Sequence, residues 1–216
     1  MKYILLAVLM ISTFSCKGQK IKTFNPKEMK TFNIQNFEKN KGRGTIYDHP
    51  DMFDYKDREG YLVVQYGTSF TSVGKEKEYI QSVTKETSPI KYQYTYFNNG
   101  HLHKEVKEFN NSLLLAKEYD KNGKLIKETD FDKNFKHTFE QIHDMVLKEK
   151  KVDIYDTRQA VALRHDTPDA NIKKYYQIHV LNSKLVGNEW YSQPEYSFII
   201  DEATGKIIQS AENSQK

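Results

Sequence analysis

His101, His103 and Glu105 follow one another at intervals of two. On an extended chain that spacing lines one face, so two imidazoles and a carboxylate come together as the beginning of a zinc or copper site. A structural zinc site needs four ligands, and only three are offered. The same run also reads as a solvated strand face of His, His, Glu and Lys107, and a motif this short favours that reading. No metal is expected. His49 with Asp51, and His165 with Asp166, are neighbours in loops with no nucleophile at a suggestive spacing. Asp130 and Asp132 could share acid–base work, but among 29 acidic residues such pairs arise by chance. The chain has no Gly-x-Ser-x-Gly elbow, no P-loop and no Gly-x-Gly-x-x-Gly. The residues point to a protein that is not an enzyme and uses no cofactor.

The remaining reactive group is Cys16, the single cysteine of the chain. Lys2 precedes an apolar run from Ile4 to Ile11, and Ser15 stands directly before Cys16. The run has the layout of a secretory leader and is too short to span a bilayer. Together these residues resemble a bacterial lipoprotein signal. The resemblance implies that residues 1–15 are a signal peptide and that the Cys16 sulfur carries diacylglycerol. It also implies a protein in the cell envelope of a Gram-negative bacterium, anchored in the lipid bilayer and facing the periplasm. The other reading is an ordinary secreted protein with an unpaired thiol, which is reactive in an oxidising compartment. Each buried methylene adds about 0.8 kcal/mol, so two or three acyl chains hold where one barely does. Residues 16–45 read as a tether, whose Lys17, Lys20, Lys22, Lys27 and Lys30 against Glu28 suit an anionic surface.

Positioning elements come next. The mature chain of about 200 residues is enough for one sizeable domain or two small ones. Lys and Arg total 33 against 29 Asp and Glu, too even for nucleic-acid binding to be expected. Fifteen Tyr and twelve Phe point to β-structure. Strand patterns run through "GYLVVQYG", "TSFTSVG" and "EYIQSVTKE", and the clearest period-two stretch is "KYQYTYF". Asn99-Gly100 and Asn122-Gly123 are hairpin turns, because both residue types accept positive φ. From residue 136 the period changes. Thr138 and Gln141 form a capping-box pair ahead of an apolar stripe of Phe139, Ile142, Met145 and Val146, which predicts a helix. A second short helix is expected around "DTRQAVALRH", and strands return at "KYYQIHVL" and "EYSFIIDEATGKIIQS".

Tyr96, Gly100, Leu102 and Glu105 recur 23 residues later as Tyr119, Gly123, Leu125 and Glu128. The pattern, over roughly residues 91–131, resembles the MORN-variant repeats of a family associated with toxin–antitoxin systems. Tyr196-x-Phe198-x-Ile200-Asp201-x-x-Thr204-Gly205-x-Ile207 resembles the closing hairpin of PepSY-type envelope modules. The expected fold is α+β, predominantly antiparallel β. A meander of hairpin repeats over 46–135 is followed by a helix and a further antiparallel hairpin over 136–216.

Tyr92, Tyr94 and Tyr96 share one strand face. They either pack as core, the commoner fate of strand aromatics, or present a flat contact surface. Trp190 and Tyr191 either line a shallow surface or cap the core. These five are the candidate partner-binding residues. The expected function is binding. In its most specific version, which the two resemblances imply, the chain is an immunity or inhibitor protein that occupies an envelope-targeted toxin. The alternative is a structural or assembly-factor lipoprotein that binds envelope components.

Overall fold

The computed structural model describes residues 24–68, 76–167 and 173–212. Cys16, its leader and most of "TSFTSVG" lie outside them. Seven strands form an antiparallel meander in sequence order: β1 Met52–Lys56, β2 Tyr61–Thr68, β3 Glu78–Lys85, β4 Ile90–Tyr96, β5 Leu102–Phe109, β6 Ser112–Tyr119 and β7 Leu125–Asp130. A second sheet, ordered β11-β10-β9-β8, holds β8 Ala160–Asp166, β9 Lys174–Val186, β10 Glu189–Asp201 and β11 Ile207–Glu212. Helix α1 spans Ile34–Asn40 and α2 spans Phe139–Lys150. The fold is thus α+β and predominantly antiparallel β, with α2 between the hairpins.

Turn chemistry sets the meander. Asp57–Tyr61, Phe97–His101 and Asp120–Lys124 close alike. In each, the first N–H donates to the fifth carbonyl (2.8, 2.9 and 2.9 Å) and the glycine N–H returns to the first carbonyl. Gly60, Gly100 and Gly123 each sit at φ 82°. One feature expected of the Asn-Gly pairs is corrected: only the glycine takes positive φ, in a three-residue loop with a bulge behind it. The turn with two positive-φ residues is Asn110–Asn111 (44° and 68°), where Phe109 pairs with Ser112. Alternation along the meander puts the turns at 57–60, 85–89 and 110–111 at one end of the sheet, and those at 97–101 and 120–124 at the other.

The tether expected over residues 16–45 is corrected from Phe24 onward. Pro26–Glu28 form a 3-10 turn capped by the Asn25 side chain, and Asn33 caps α1. Phe32 and Phe37 are buried in a core that also holds Val63, Tyr79, Val83 and Leu102. Phe32 lies 4.9 Å from Tyr79, nearly parallel, and its N–H donates to Gly100 O at 2.8 Å. A Cβ on Gly100 would stand 2.8 Å from Phe32 O, so this docking needs glycine. The polar sequence hid three phenylalanines spaced for one sheet face. Burying Phe32 or Phe37 contributes about 1.5–3 kcal/mol, and the half-buried Phe24 less.

The second core lies between α2 and the four-stranded sheet. Thr138 accepts from Gln141 N while Gln141 accepts from Thr138 N (3.3 and 2.9 Å), completing the predicted capping box. Phe139, Ile142 and Val146 are buried on one side of α2. The helix expected around residues 156–165 is corrected to a turn followed by β8. Asp156 caps only that turn, and Ala160 and Ala162, two apart, face α2 as small residues that admit close approach.

Candidate functional site

The tyrosine stripe is core. Tyr94 and Tyr96 are 0% and 1% exposed, and Tyr92 is half-buried. Phe24 covers them, with ring centroids 5.4 Å from Tyr92 and 6.4 Å from Tyr94, and the Tyr96 hydroxyl donates to Met29 O at 3.3 Å. Burial first, and the Glu105 carboxylate second, push the phenols of Tyr94 and Tyr96 far above their ordinary range. The contact-surface reading of Tyr94 and Tyr96 is corrected. The N-terminal segment, which pattern reading had set aside as tether, occupies the face they would have offered.

The His-x-His-x-Glu face is broken by a bulge. Thr95 pairs with Lys104 but Tyr96 pairs with Leu102, leaving His103 as the extra residue. His103 Nδ1 lies 2.8 Å from Glu78 Oε1, and its ring stacks on Phe97 at 4.2 Å. His101 Nδ1 lies 2.9 Å from Lys121 O. Glu105 pairs with Tyr94 on the opposite face and accepts from the Tyr119 hydroxyl at 3.4 Å. The three do not converge, and no group of three His, Cys, Asp or Glu among the described residues is placed to hold a metal. Asp51 N–H donates to His49 Nδ1, and His165 stacks on Tyr175. Asp130 accepts from the Asp132 N–H, and Asp132 pairs with the buried Arg164 guanidinium, which lies over Phe135 at 4.3 Å. The loop expected at His165 and Asp166 is corrected: both belong to β8, paired with Tyr175 and Lys174 of β9, whereas the His49 and Asp130–Asp132 groups hold loops in place.

Three surface features remain. The first is a cleft of about 310 Å³ under the N-terminal segment, with Glu105 and Tyr119 on one wall and Lys27, Lys30 and Lys117 beside them. Pattern reading missed it because its lining comes from two distant segments. The second is the β9–β10 hairpin. Its outer half, Asn182 to Gln193, continues past the last contact with β8, where Leu181 N–H donates to Gln159 O. Leu185, Val186, Trp190 and Tyr191 are all exposed there. Arg158 lies 4.9 Å under the Trp190 ring. A groove of about 410 Å³ separates the hairpin from Glu86 and Thr87 at the β3–β4 turn. Trp190 and Tyr191 therefore lie at the surface and do not cap the core.

The third feature comes from the repeat. Leu102 and Leu125 occupy equivalent positions, yet Leu102 is buried and Leu125 is 44% exposed. The N-terminal segment covers only the first copy. The second copy ends on β7, which among the described residues pairs with β6 alone and carries Ile126 at 62% exposure. An edge strand of this kind offers unpaired N–H and C=O groups beside exposed aliphatic side chains. No family model, no curated protein and no solved structure matches the chain.

Proposed function

We propose that this chain is a lipid-anchored protein of the bacterial envelope that acts by binding, and that its partner is a toxin whose active site it covers. The observation that carries the reading is the open second repeat: Leu125 and Ile126 stand on an edge strand whose outer side has no strand partner among the described residues, where the first repeat has a covering segment. A partner segment that adds to β7 gains main-chain hydrogen bonds, and alternate side chains give it specificity. The hairpin repeats that resemble antitoxin-associated repeats support the same reading. Inhibition is then steric and needs no chemistry from this chain.

The test is capture of the full chain, tagged at its C-terminus, from detergent-solubilised envelope. The expected result is one secreted protein at near-equal stoichiometry, lost when Ile126→Lys is used as bait. Truncating a central contact residue costs about 2 kcal/mol or more of binding, while an exposed edge substitution shifts stability by about 0.5 kcal/mol or less. Equal capture by both baits, or none by either, overturns the reading. The anchor is tested separately: Cys16→Ala should move the protein from the membrane pellet to the soluble fraction. Unchanged sedimentation overturns the lipid anchor.

A further inference from the structure

The exposed hairpin and the start of the described chain lie at the same end of the seven-stranded sheet. Phe24 N–H donates to Asp57 in the β1–β2 turn at 2.8 Å. Lys56 pairs with Glu86 at 3.5 Å, and Thr157 N–H donates to Thr87 O at 3.0 Å. Asn188, Glu189 and Trp190 line the groove against that same β3–β4 turn. The described chain therefore begins at the end of the sheet whose β3–β4 turn faces the hairpin across the groove. The open edge at Leu125 follows the 120–124 turn, at the opposite end of the sheet.

Covalent geometry then limits the distance to the bilayer. Cys16 to Thr23 reach at most ~28 Å when fully extended, at about 3.5 Å per residue. The outer half of β9, from Asn182 to Val186, is about 14 Å long at strand rise. Its tip carries an indole, a phenol and two aliphatic side chains, with Lys184 and Glu189 between them. Trp and Tyr with one apolar and one polar end settle at the headgroup level of a bilayer, where an isolated polar surface gains nothing. Leu185 and Trp190 pair across the ribbon, so one face offers both to the same depth.

We propose that the tip of the β9–β10 hairpin, through Leu185, Val186, Trp190 and Tyr191, inserts into the headgroup region of the bilayer that holds the Cys16 anchor. This rests on the anchored reading above. It adds a second membrane contact that fixes orientation, with the hairpin end toward lipid and the open β7 edge away from it. A single tether leaves the fold free to tumble. A tether plus a wedge holds the partner-binding edge toward the compartment.

Trp190 is the single tryptophan of the chain, so its fluorescence reports this site alone. The acylated full-length protein is reconstituted into vesicles of phosphatidylethanolamine and phosphatidylglycerol, with and without lipids brominated near the headgroup. Flotation reads the anchor, and Trp190 emission reads the hairpin. The expected result is flotation with a shift of the emission maximum to shorter wavelength and loss of most intensity on brominated lipid. Leu185→Ser with Val186→Ser should reverse both the shift and the loss. Flotation with neither shift nor quenching overturns the hairpin contact and leaves the anchor standing. Absence of both flotation and quenching overturns the two together. A shift that follows protein concentration without lipid shows a second copy as the occupant and overturns the lipid assignment.

Discussion

Phe109→Ala should cost about 4 kcal/mol of stability, within the range of about 3–5 kcal/mol for emptying a buried phenylalanine site. Phe109 belongs to β5 of the first sheet but lies in the core of the second. Its ring stacks on Phe139 of α2 at 4.1 Å and 11°, and meets Tyr155 edge-on at 5.1 Å. It is fully buried. The site has little scope to collapse, because one wall is a hydrogen-bonded sheet and the other a capped helix. Denaturant unfolding followed by far-UV circular dichroism reads the loss. Phe109→Leu keeps most of the volume and should cost clearly less. A cost below about 1 kcal/mol for the alanine variant would show that the two sheets are not joined through this ring, since surface changes fall in that range.

Asp54→Ala should cost about 3 kcal/mol at neutral pH, and the deficit should shrink in acid. Asp54 is fully buried, and the partners of its carboxylate among the described residues are backbone N–H groups and one hydroxyl. Its Oδ2 accepts from Thr45 N, Thr45 Oγ1 and Ile46 N (2.9, 3.1 and 2.8 Å), and its Oδ1 from Tyr47 N at 3.0 Å. Gly44 is required beside it, because a Cβ there would lie 2.0 Å from Oδ1. Burial pushes the carboxyl up, but the donated bonds from Tyr47, Thr45 and Ile46 outweigh it and hold the value below the ordinary range. Truncation strands those donors at about 1–3 kcal/mol each, less what water recovers as the loop relaxes. A carboxyl with a lowered folded value contributes fully above the unfolded value near 3.9 and loses that contribution as pH falls through the folded one. Wild type and variant should therefore converge below about pH 4. A deficit of constant size from neutral to acid pH would show that the ionised form is not what the loop binds.

The candidate site was legible in part. For Trp190 and Tyr191 the sequence leaves a shallow surface and a cap on the core as alternatives, and the run of the hairpin past β8 decides for the surface. The repeat was readable residue by residue, from Tyr96 and Gly100 to Tyr119 and Gly123. The asymmetry in burial between its copies was not, because Leu102 and Leu125 are the same residue type in the same pattern. Only the path of a distant segment makes one buried and the other open. The His-x-His-x-Glu face failed for a related reason: period-two alternation assumes an unbroken ladder, and the bulge at His103 is set by pairing with Thr95 and Tyr96 on another strand.

Local signals determined some elements by themselves. Alternation at Tyr92 to Tyr96, glycine at three turns and the capping box at Thr138 depend on neighbours a few residues away, and all three features stand in the fold. Tertiary structure decided which faces meet. Phe24, Phe32 and Phe37 read as scattered aromatics in polar chain, and Ala160 to Leu163 suit a helix as well as a strand. A seven-stranded sheet with one bare aromatic face supplies what the sequence lacks: a surface on which three phenylalanines gain more by burial than a free tether gains in entropy. The pairing of Ala160 with Val180 supplies the hydrogen bonds that turn an ambiguous run into β8. Burial free energy depends on the partner surface, and that surface is assembled from residues far apart in the chain.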